Sequence, residues 1–278
     1  MGLTMECRPL ISVVLPIFDA NPGYLKSAVE SVIAQTLEQW ELVVVEDPSR
    51  SSAEGLMVSF RDPRIRYHRN AARKLLPASL NQGVELARAD LVARFDGDDI
   101  CEKERLERQV EYMRRHPQTA VLGSQISVID DKGQLRAFRQ FPQDQEGILK
   151  AFPQSNPLMH STVVFRKAAV VEAGGYQYRC NEDYELWSRM AQRRTVFANH
   201  PHRLVKHRIH NDGMKLARIH DVLRTEFEIQ RRYWWKQLDF SGRMQAYFRR
   251  ALVLLPPEQL RKKFAAEQLE DRSAKKRR

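Results

Sequence analysis

The chain has 278 residues, of which 42% are hydrophobic and 29% charged, so it can form one large domain or two modest ones with a sizeable core. Its formal net charge is +11; residues from 201 onward carry 20 Lys and Arg against 9 Asp and Glu, and the first 200 carry 26 of each. No apolar run approaches the about 20 residues of a membrane-spanning helix, and the first residues lack the apolar core of a signal peptide, so we expect a cytoplasmic protein, soluble or peripheral to the membrane.

The chain up to residue 99 alternates between apolar runs and helical patterns. The runs at 10–18, 40–47 and 90–99 are rich in branched side chains, which is typical of strands buried on both faces. A further short strand is predicted at 64–70. Apolar residues recur at helical spacing in 21–36 and 76–89. This β-α-β-α-β order predicts an α/β fold with a mainly parallel central sheet flanked by helices.

After residue 117 the pattern loosens. Residues 119–130 predict a strand, and 160–176 predict a strand, a helix and a glycine stop. Residues 181–193 predict a helix with Asn181 as its N-cap and acidic residues in its first turn. A long helical region from 214 to 250, broken near 239–242, mixes Arg and Lys with Phe, Tyr and Trp.

Three carboxylates, Asp96, Asp98 and Asp99, directly follow the last apolar run, and Asp47 ends the second one. In parallel α/β sheets, ligands bind beyond the carboxyl ends of the strands. Clustered carboxylate oxygens at that edge suit Mg²⁺ or Mn²⁺. The alternative is a solvated acidic turn that caps the helix beginning near Glu102, and the spacing alone leaves both interpretations open.

A second acidic pair, Glu182 and Asp183, lies at the start of the predicted 181–193 helix. Acidic residues are favoured at helix N-termini by the helix dipole, so a plain charge preference is one interpretation. The other is a general base at the mouth of the sheet. His160, Gly175 and Trp187 flank this region as candidate acceptor contacts, each with a structural alternative. His200, His202 and His207 are interpreted as ordinary loop residues.

The ordered motifs over residues 10–213 resemble the family 2 glycosyltransferases, inverting enzymes of the GT-A fold that use nucleotide-sugar donors. The segments that carry the resemblance are ISVVLPIFDA, AVESVIAQTLEQWELVVVEDPS, VARFDGDD, PLMHSTVVFRKAAVVEAGGY, NEDYELWSRM and VKHRIHNDG. The resemblance implies a GT-A domain over 8–213, with a Rossmann-like nucleotide-sugar-binding half at 8–117 and an acceptor-binding half at 118–213. Residues 214–278 would form a basic, aromatic-rich helical extension.

The resemblance also implies roles for individual residues. The donor pocket is assigned to Pro16, Asp19, Asp47, Arg73, Asp96, Gly97 and Asp98. The metal ion, Mn²⁺ or Mg²⁺, is assigned to Asp98 as the first ligand, with Asp96, Asp99 and His210. Asp183 is assigned as the base and Glu182 as its neighbour. The acceptor region is assigned to His160, Gly175 and Trp187.

The sequence departs from the family pattern at several positions. Asp19 replaces the usual asparagine, and Pro48 stiffens the loop after Asp47. Leu80 stands where an arginine is expected, so Arg73 or Lys74 is assigned the diphosphate charge. The segment QRRYW at 230–234 only half matches the motif of processive synthases, because Tyr233 replaces arginine.

The resemblance, together with these departures, implies an inverting, metal-dependent, non-processive transferase. It would move a sugar from a nucleotide-diphosphate sugar to a hydroxyl of a glycan or lipid-linked acceptor, in cell-surface polysaccharide or lipopolysaccharide biosynthesis. The basic C-terminal region suggests an anionic membrane surface as a further partner. Deleting 214–278 is then expected to weaken membrane association and to leave donor hydrolysis largely intact.

Two other functions fit parts of the sequence. An aspartate-nucleophile phosphatase also places an Asp-x-Asp pair after an apolar strand, but usually after the first strand. A non-catalytic module that binds membrane or nucleic acid would use the basic C-terminal region, yet it leaves both acidic clusters unexplained. A nucleic-acid partner is therefore not favoured, and the sequence assigns no oligomeric state.

Overall fold

A nine-stranded mixed sheet organises residues 8–209, 218–256 and 260, which are the residues that this computed structural model describes. The strands are β1 (Ile11–Ile17), β2 (Trp40–Glu46), β3 (Ile65–Arg69), β4 (Leu91–Arg94), β5 (Ile100–Cys101), β6 (Thr119–Ile129), β7 (Leu135–Arg139), β8 (Val164–Arg166) and β9 (Val196–Arg208). The helices of the body are α1 (Pro22–Ile33), α2 (Glu54–Ser59), α3 (Leu76–Leu86), α4 (Arg105–Arg115), α5 (Gln145–Ala151), α6 (Lys167–Glu172) and α7 (Glu182–Ala191).

The strand order is β3-β2-β1-β4-β8-β6-β9-β5, with β7 added beside β6. The strands β3, β2, β1 and β4 are parallel to one another. Beyond β4 the sheet becomes mixed, because β8 runs antiparallel to both β4 and β6, whereas β6 and β9 are parallel. The predicted α/β class is confirmed. The strands that precede residue 95 form an all-parallel half of the sheet, and β6 with β9 adds one parallel pair to the mixed half.

Alternate residues of β1 face the two sides of the sheet, as the period of a strand requires. Ile11, Val13 and Leu15 pack on one side with α1 and α4. Val14 packs on the other side with α3 and α7. Both sides are covered, so the strand reads as a continuous apolar run.

Pro16 is tolerated within β1 because its position has no partner strand on one side. Val14 accepts a hydrogen bond from Phe95 on the β4 side, and Ile17 accepts one from Asp47 on the β2 side. The alternation along β1 turns Pro16 toward β4, which ends at Arg94. A residue without an N–H therefore costs no ladder hydrogen bond there.

Several boundaries differ from the sequence-based predictions. The predicted strand at 90–99 ends at Arg94, so the three carboxylates lie in a turn before the short strand β5. The histidines at 200, 202 and 207 lie in the long strand β9, so their interpretation as loop residues is wrong. Strand β7 and helix α5 are absent from the predictions, because both are short and their exposed residues give weak periodicity.

Asn181 precedes α7 as predicted but does not cap it with its side chain. Its backbone has φ 52° and ψ 36°, in the left-handed region, and no side-chain cap hydrogen bond forms. The Asn181 amide instead donates to Val222 O and Thr225 Oγ1, both at 2.8 Å. The predicted N-cap position of Asn181 is therefore confirmed, but its side chain does not cap the helix, since a tertiary contact takes the amide.

The C-terminal region begins with helix α8 (Ile219–Ile229), continues as a π-helical turn (Gln230–Trp234) and then forms helix α9 (Phe240–Ala251). The break near 239–242 is confirmed, since Asp239 caps α9 through Gly242 N at 2.7 Å. Ile229 and Trp234 are buried in the core of the body. Within the described residues, no helix combines the length and the apolar character needed to span a membrane.

Candidate active site

The donor-site residues predicted in the first half of the chain gather where three parallel strands end. Ile17 of β1 pairs with Glu46 of β2, and Val14 of β1 pairs with Arg94 of β4. The strand ends and the turns after them therefore lie side by side at the carboxyl edge of the sheet. They carry Pro16, Asp19, Asp47, Asp96, Gly97 and Asp98.

Asp47 is buried, and its carboxylate is engaged in four hydrogen bonds. Oδ1 accepts from Asn70 Nδ2 at 2.8 Å and from Ser79 Oγ at 3.1 Å. Oδ2 accepts from the backbone N–H groups of Lys74 at 3.1 Å and Leu75 at 2.7 Å. Burial by itself would raise the pKa of Asp47, but these bonds outweigh it and lower the pKa. Asp47 thus fixes the loop between β3 and α3 to the end of β2.

Asp96 forms a close ion pair with Arg94, which is itself buried in β4. Burial opposes the ionisation of Asp96, but the Arg94 guanidinium outweighs it, with smaller contributions from His160 and His207, and lowers the pKa of Asp96. A carboxylate that stays ionised at this edge is suited to a cation or to hydrogen-bond donors of a ligand.

Asp99 is fully buried and is held by strand β9. Its Oδ1 accepts from the backbone N–H of Arg208 at 2.9 Å and lies 3.0 Å from Nδ1 of His207. Burial would lower the pKa of His207, but the Asp99 carboxylate raises it. Arg208 Nε also donates to the backbone oxygen of Asp98 at 2.9 Å. Strand β9 therefore holds the carboxylate turn in place through His207 and Arg208.

The carboxylate turn has the donor set of a divalent-cation site. Oxygens of Asp96, Asp98 and Asp99 lie within 4.8 Å of one another. Both oxygens of Asp99 contact His207, at 3.0 and 3.1 Å, so Asp96 and Asp98 are the more accessible ligands. Clustered hard oxygens fit Mg²⁺ or Mn²⁺.

The second acidic pair lies in the first turn of α7 and meets His160. Nδ1 of His160 is 3.5 Å from Glu182 Oε1 and 4.0 Å from Asp183 Oδ2. Asn156 Nδ2 donates to Asp183 Oδ2 at 2.8 Å, and Nε2 of His160 is 3.0 Å from the hydroxyl of Tyr176. All of these residues except Asn156 are buried. The pair is therefore held by the body rather than solvated as a plain helix terminus.

Arg94 connects the carboxylate turn with the segment that carries His160: its side chain pairs with Asp96, and its backbone N–H donates at 2.8 Å to Val163 O, directly after the turn His160–Thr162. Burial alone would lower the pKa of Arg94, but the carboxylates of Asp96 and Glu182 outweigh it and raise the pKa. His160, from the second cluster, in turn lowers the pKa of Asp96. A charge that alters the pKa of another group lies within electrostatic reach of it. The edge of the sheet thus brings the carboxylate turn and the start of α7 together.

The remaining predicted residues fall into two groups. Asp19 and Arg73 are exposed near the strand ends, and Arg73 lies over the ring of Phe18 at 3.9 Å. Gly175 has φ +65°, and a Cβ there would lie 2.5 Å from Asn81 Oδ1, so its turn requires glycine. Trp187 is 0% exposed.

This burial corrects the assignment of Trp187 as an acceptor contact, because a side chain without exposed surface cannot touch a ligand. His210, assigned to the metal ion, lies outside the described residues. The site also contains residues that the sequence interpretation does not single out, namely Arg94, Asn156, Tyr176, His207 and Arg208. For Arg208 a signal exists, since it is the arginine of the segment VKHRIHNDG; the others become visible only through long-range contacts.

Comparison with known proteins identifies what this chain is similar to. The model of the family described as "Glycosyl transferase family 2" matches residues 12–174. The chain is 31% identical over 229 residues to the amylovoran biosynthesis glycosyltransferase AmsE of Erwinia amylovora, covering 80% of this chain and 85% of that protein. It is 26% identical to the O-antigen biosynthesis glycosyltransferase WbnJ of Escherichia coli, covering 78% of this chain and 86% of that protein.

Among solved structures, the chain resembles Staphylococcus aureus TarS 1-349 in complex with UDP-GlcNAc. The TM-score is 0.62 at 16% identity, over 79% of this chain and 66% of that one. At this identity the similarity establishes the fold. The predicted GT-A architecture is confirmed.

Proposed function

This chain belongs to glycosyltransferase family 2, and from that premise we propose that it is an inverting, metal-dependent enzyme that transfers one sugar per encounter. The donor is a nucleotide-diphosphate sugar, and the acceptor is a hydroxyl of a glycan or lipid-linked glycan. The single observation that carries the proposal is the pair of acidic clusters, one formed by Asp96, Asp98 and Asp99 and the other by Glu182 and Asp183 with His160. One cluster suits the leaving diphosphate and the other suits the attacking hydroxyl.

Each cluster has one role in the proposed reaction. The acceptor oxygen attacks the anomeric carbon, and the bond from that carbon to the diphosphate oxygen breaks. Asp183 takes the proton of the acceptor hydroxyl. Asn156 orients the Asp183 carboxylate by donating from Nδ2 to Oδ2 at 2.8 Å, and Glu182 lies beside it. The nucleoside diphosphate leaves with the bonding electron pair, so the sugar inverts its configuration. The transition state is expected to resemble an oxocarbenium ion.

The leaving-group side is assigned to the carboxylate turn. Asp98 and Asp96 would hold Mn²⁺ or Mg²⁺, with Asp99 behind them fixed by His207 and Arg208. When bound there, the ion supplies a Lewis acid for the diphosphate. The rest of the donor pocket is assigned to Pro16, Asp19, Asp47, Arg73 and Gly97, and the acceptor side to His160 and Gly175.

The finer assignments rest on the sequence and on the relatives. The roles of AmsE in amylovoran biosynthesis and of WbnJ in O-antigen biosynthesis support a role in cell-surface polysaccharide or lipopolysaccharide biosynthesis. The complex of TarS with UDP-GlcNAc supports a nucleotide-diphosphate sugar as donor. The tyrosine at 233, in place of arginine, supports non-processive transfer. The division into halves at 8–117 and 118–213, with an extension at 214–278, is retained as a proposal.

A screen of nucleotide sugars with Mn²⁺, reading released nucleotide, tests the metal and donor assignments. Asp98→Asn is expected to lower release by about 100-fold or more, because it removes a charged ligand. Asp90→Asn is the matched control, since the Asp90 side chain is 85% exposed and forms an ion pair with the exposed Arg8. Full activity of Asp98→Asn would overturn the metal assignment.

The base is tested by Asp183→Asn. Transfer is expected to fall by about 100-fold or more while donor affinity changes little, because the amide cannot take a proton. Donor affinity is measured by calorimetry with the nucleoside diphosphate and Mn²⁺. Loss of donor binding in this variant would show that Asp183 serves the donor rather than the acceptor.

We also assign a membrane contact to helix α9, in keeping with a lipid-linked acceptor. Its exposed apolar face consists of Phe240, Met244, Tyr247 and Phe248, which are 81%, 52%, 53% and 62% exposed. These positions share one side of a helix. Exposed basic residues precede it at Arg231, Arg232 and Lys236. An apolar helix face beside basic residues fits the surface of an anionic bilayer.

Sedimentation with phosphatidylcholine vesicles, with and without phosphatidylglycerol, tests this contact. The triple variant F240S/M244S/F248S is expected to bind anionic vesicles about 10-fold more weakly. The control V58S/V171S removes two side chains that are 69% and 59% exposed on the body. Equal binding by the triple variant and the control would overturn the assignment.

A further inference from the structure

Helix α7 presents two sets of polar side chains to two different parts of the molecule. Glu182 and Asp183 face His160 at the candidate active site. Asn181, Glu185 and Ser188 follow one another at intervals of four and three residues, so they form a stripe along α7. Each member of this stripe is hydrogen-bonded to the C-terminal region.

The contacts of the stripe follow the C-terminal chain in order. Asn181 Nδ2 donates to Val222 O and Thr225 Oγ1 of α8, both at 2.8 Å. The hydroxyl of Tyr233 donates to Glu185 Oε1 at 2.7 Å. The next bond of the series comes from the adjacent residue of the π-helical turn.

Trp234 closes the series. Its Nε1–H donates to Ser188 Oγ at 2.8 Å, and its ring stacks on Phe152 with centroids 5.0 Å apart and planes 8° apart. Trp234 is 4% exposed and Ser188 is 0% exposed. The bond is therefore shielded from water. A group that loses its partner in such a place has no solvent to replace it.

Glu185 extends the connection to the other wall of the site. Arg189 Nη2 lies 2.9 Å from Glu185 Oε2 and donates to the backbone oxygen of Gly175 at 2.7 Å. Gly175 precedes Tyr176, whose hydroxyl meets His160. The stripe thus links the C-terminal region to α7 itself and, through Arg189, to the segment Gly175–Tyr176 beside His160.

We infer that Tyr233 and Trp234 are positioning residues for the transfer reaction: they hold α7 so that Glu182 and Asp183 stay in register with His160. This inference rests on the proposed function of that acidic pair. The family match ends at residue 174, before α7 begins. The positioning contacts therefore belong to a part of the chain that the match does not cover.

The alternative is that these contacts only stabilise the fold. The two cases differ in what changes when one hydrogen-bonding group of a side chain is removed. A purely structural contact lowers the midpoint of thermal unfolding and leaves kcat of the folded enzyme unchanged. A positioning contact lowers kcat at temperatures where the variant is fully folded, with the KM of the donor unchanged, because the carboxylates are misplaced only relative to the acceptor.

The test replaces Tyr233 by phenylalanine, which removes only the hydroxyl that reaches Glu185. We expect kcat for transfer to fall about 10-fold with the donor KM within about twofold of wild type. Tyr112→Phe is the matched control, since Tyr112 lies in α4 and packs its ring on His116 and His200 rather than on α7. A kcat for Tyr233→Phe equal to that of Tyr112→Phe would overturn the inference.

A second pair of variants keeps the test decisive if one protein folds poorly. Trp234→Phe preserves a ring against Phe152 and removes the donor to Ser188, while Trp235→Phe makes the same change one residue along. We expect only Trp234→Phe to lower kcat. Failure of the positioning role is distinguishable from failure of the proposed function. Full activity of Asp183→Asn overturns the assignment of Asp183 as the base. If Asp183→Asn is inactive but Tyr233→Phe and Trp234→Phe keep the wild-type kcat, only the positioning role is overturned.

Discussion

Two buried carboxylates, those of Glu41 and Asp47, accept hydrogen bonds at both of their oxygens. Glu41 accepts from Ser12 Oγ and the backbone N–H of Arg88, both at 2.6 Å, and from Arg66 Nη1 at 2.9 Å. Asp47 has four donors of its own, about as many as a carboxylate can accept. Such saturation fits a structural role for Glu41. It also means that Asp47 must exchange one of its bonds before it can contact a donor base.

Glu41→Gln is expected to lower the free energy of unfolding by about 2 kcal/mol at pH 7, because a buried acceptor becomes a donor that faces other donors. Burial would raise the pKa of Glu41, but its hydrogen bonds lower it below the usual 4.5. The stabilisation is therefore complete above pH 4.5 and is lost as the pH falls through the folded-state pKa.

Urea unfolding at neutral and acidic pH measures this effect. The difference in the free energy of unfolding between wild type and Glu41→Gln should shrink as the pH falls below 4.5, the usual pKa of glutamate. Glu38→Gln, at an exposed position before β2, is the control. A difference that stays constant across the pH range would contradict the role assigned to the ionised carboxylate.

At the scale of elements, helix α3 lies close against β1 at one glycine. A Cβ at Gly83 would lie 2.3 Å from Val14 Cγ1, so any larger residue there would push α3 away from β1 or displace the Val14 side chain. Helical periodicity at 76–89 predicts α3 itself. It cannot predict how near α3 approaches the sheet, because that distance depends on which residue of β1 faces Gly83.

Gly83→Ala is expected to destabilise the protein by about 1–3 kcal/mol, because the added methyl overpacks the contact between α3 and β1. Gly55 of α2 has no atom within 4 Å of an added Cβ. There the same change should stabilise by up to about 1 kcal/mol, through helix propensity alone. Thermal unfolding of the two variants distinguishes packing from propensity, and two shifts of the same sign would contradict the proposed contact.

At the scale of the whole molecule, the C-terminal region is divided between two surroundings. Ile229 and Trp234 complete the core beside Phe152, whereas Phe240 and Phe248 are exposed. Basic and aromatic residues alternate through both stretches, so composition alone does not separate them. The packing revises the expectation that deleting 214–278 leaves donor hydrolysis intact, because the deletion removes part of the core.

Two truncations test this division. A chain that ends at residue 238 keeps Ile229 and Trp234, and we expect it to remain folded and to lose vesicle binding. A chain that ends at residue 213 loses both buried side chains, and its unfolding midpoint should fall by about 10 °C or more. Donor hydrolysis and light scattering are measured for both. Equal stability of the two truncated chains would contradict the packing of residues 229–234.

Local sequence patterns are enough to predict the α/β order, the parallel first half of the sheet, and the placement of Asp47, Asp96 and Asp98 at one edge of it. These follow from local periodicity and from the rule that parallel strands end at a common edge. Three contacts emerge from the folded structure alone: His207 with Asp99, the buried Arg94 with Asp96 and Val163, and Tyr233 with Glu185. Partners so far apart in sequence share no local pattern, because their contact depends on the distances and angles at which whole elements pack.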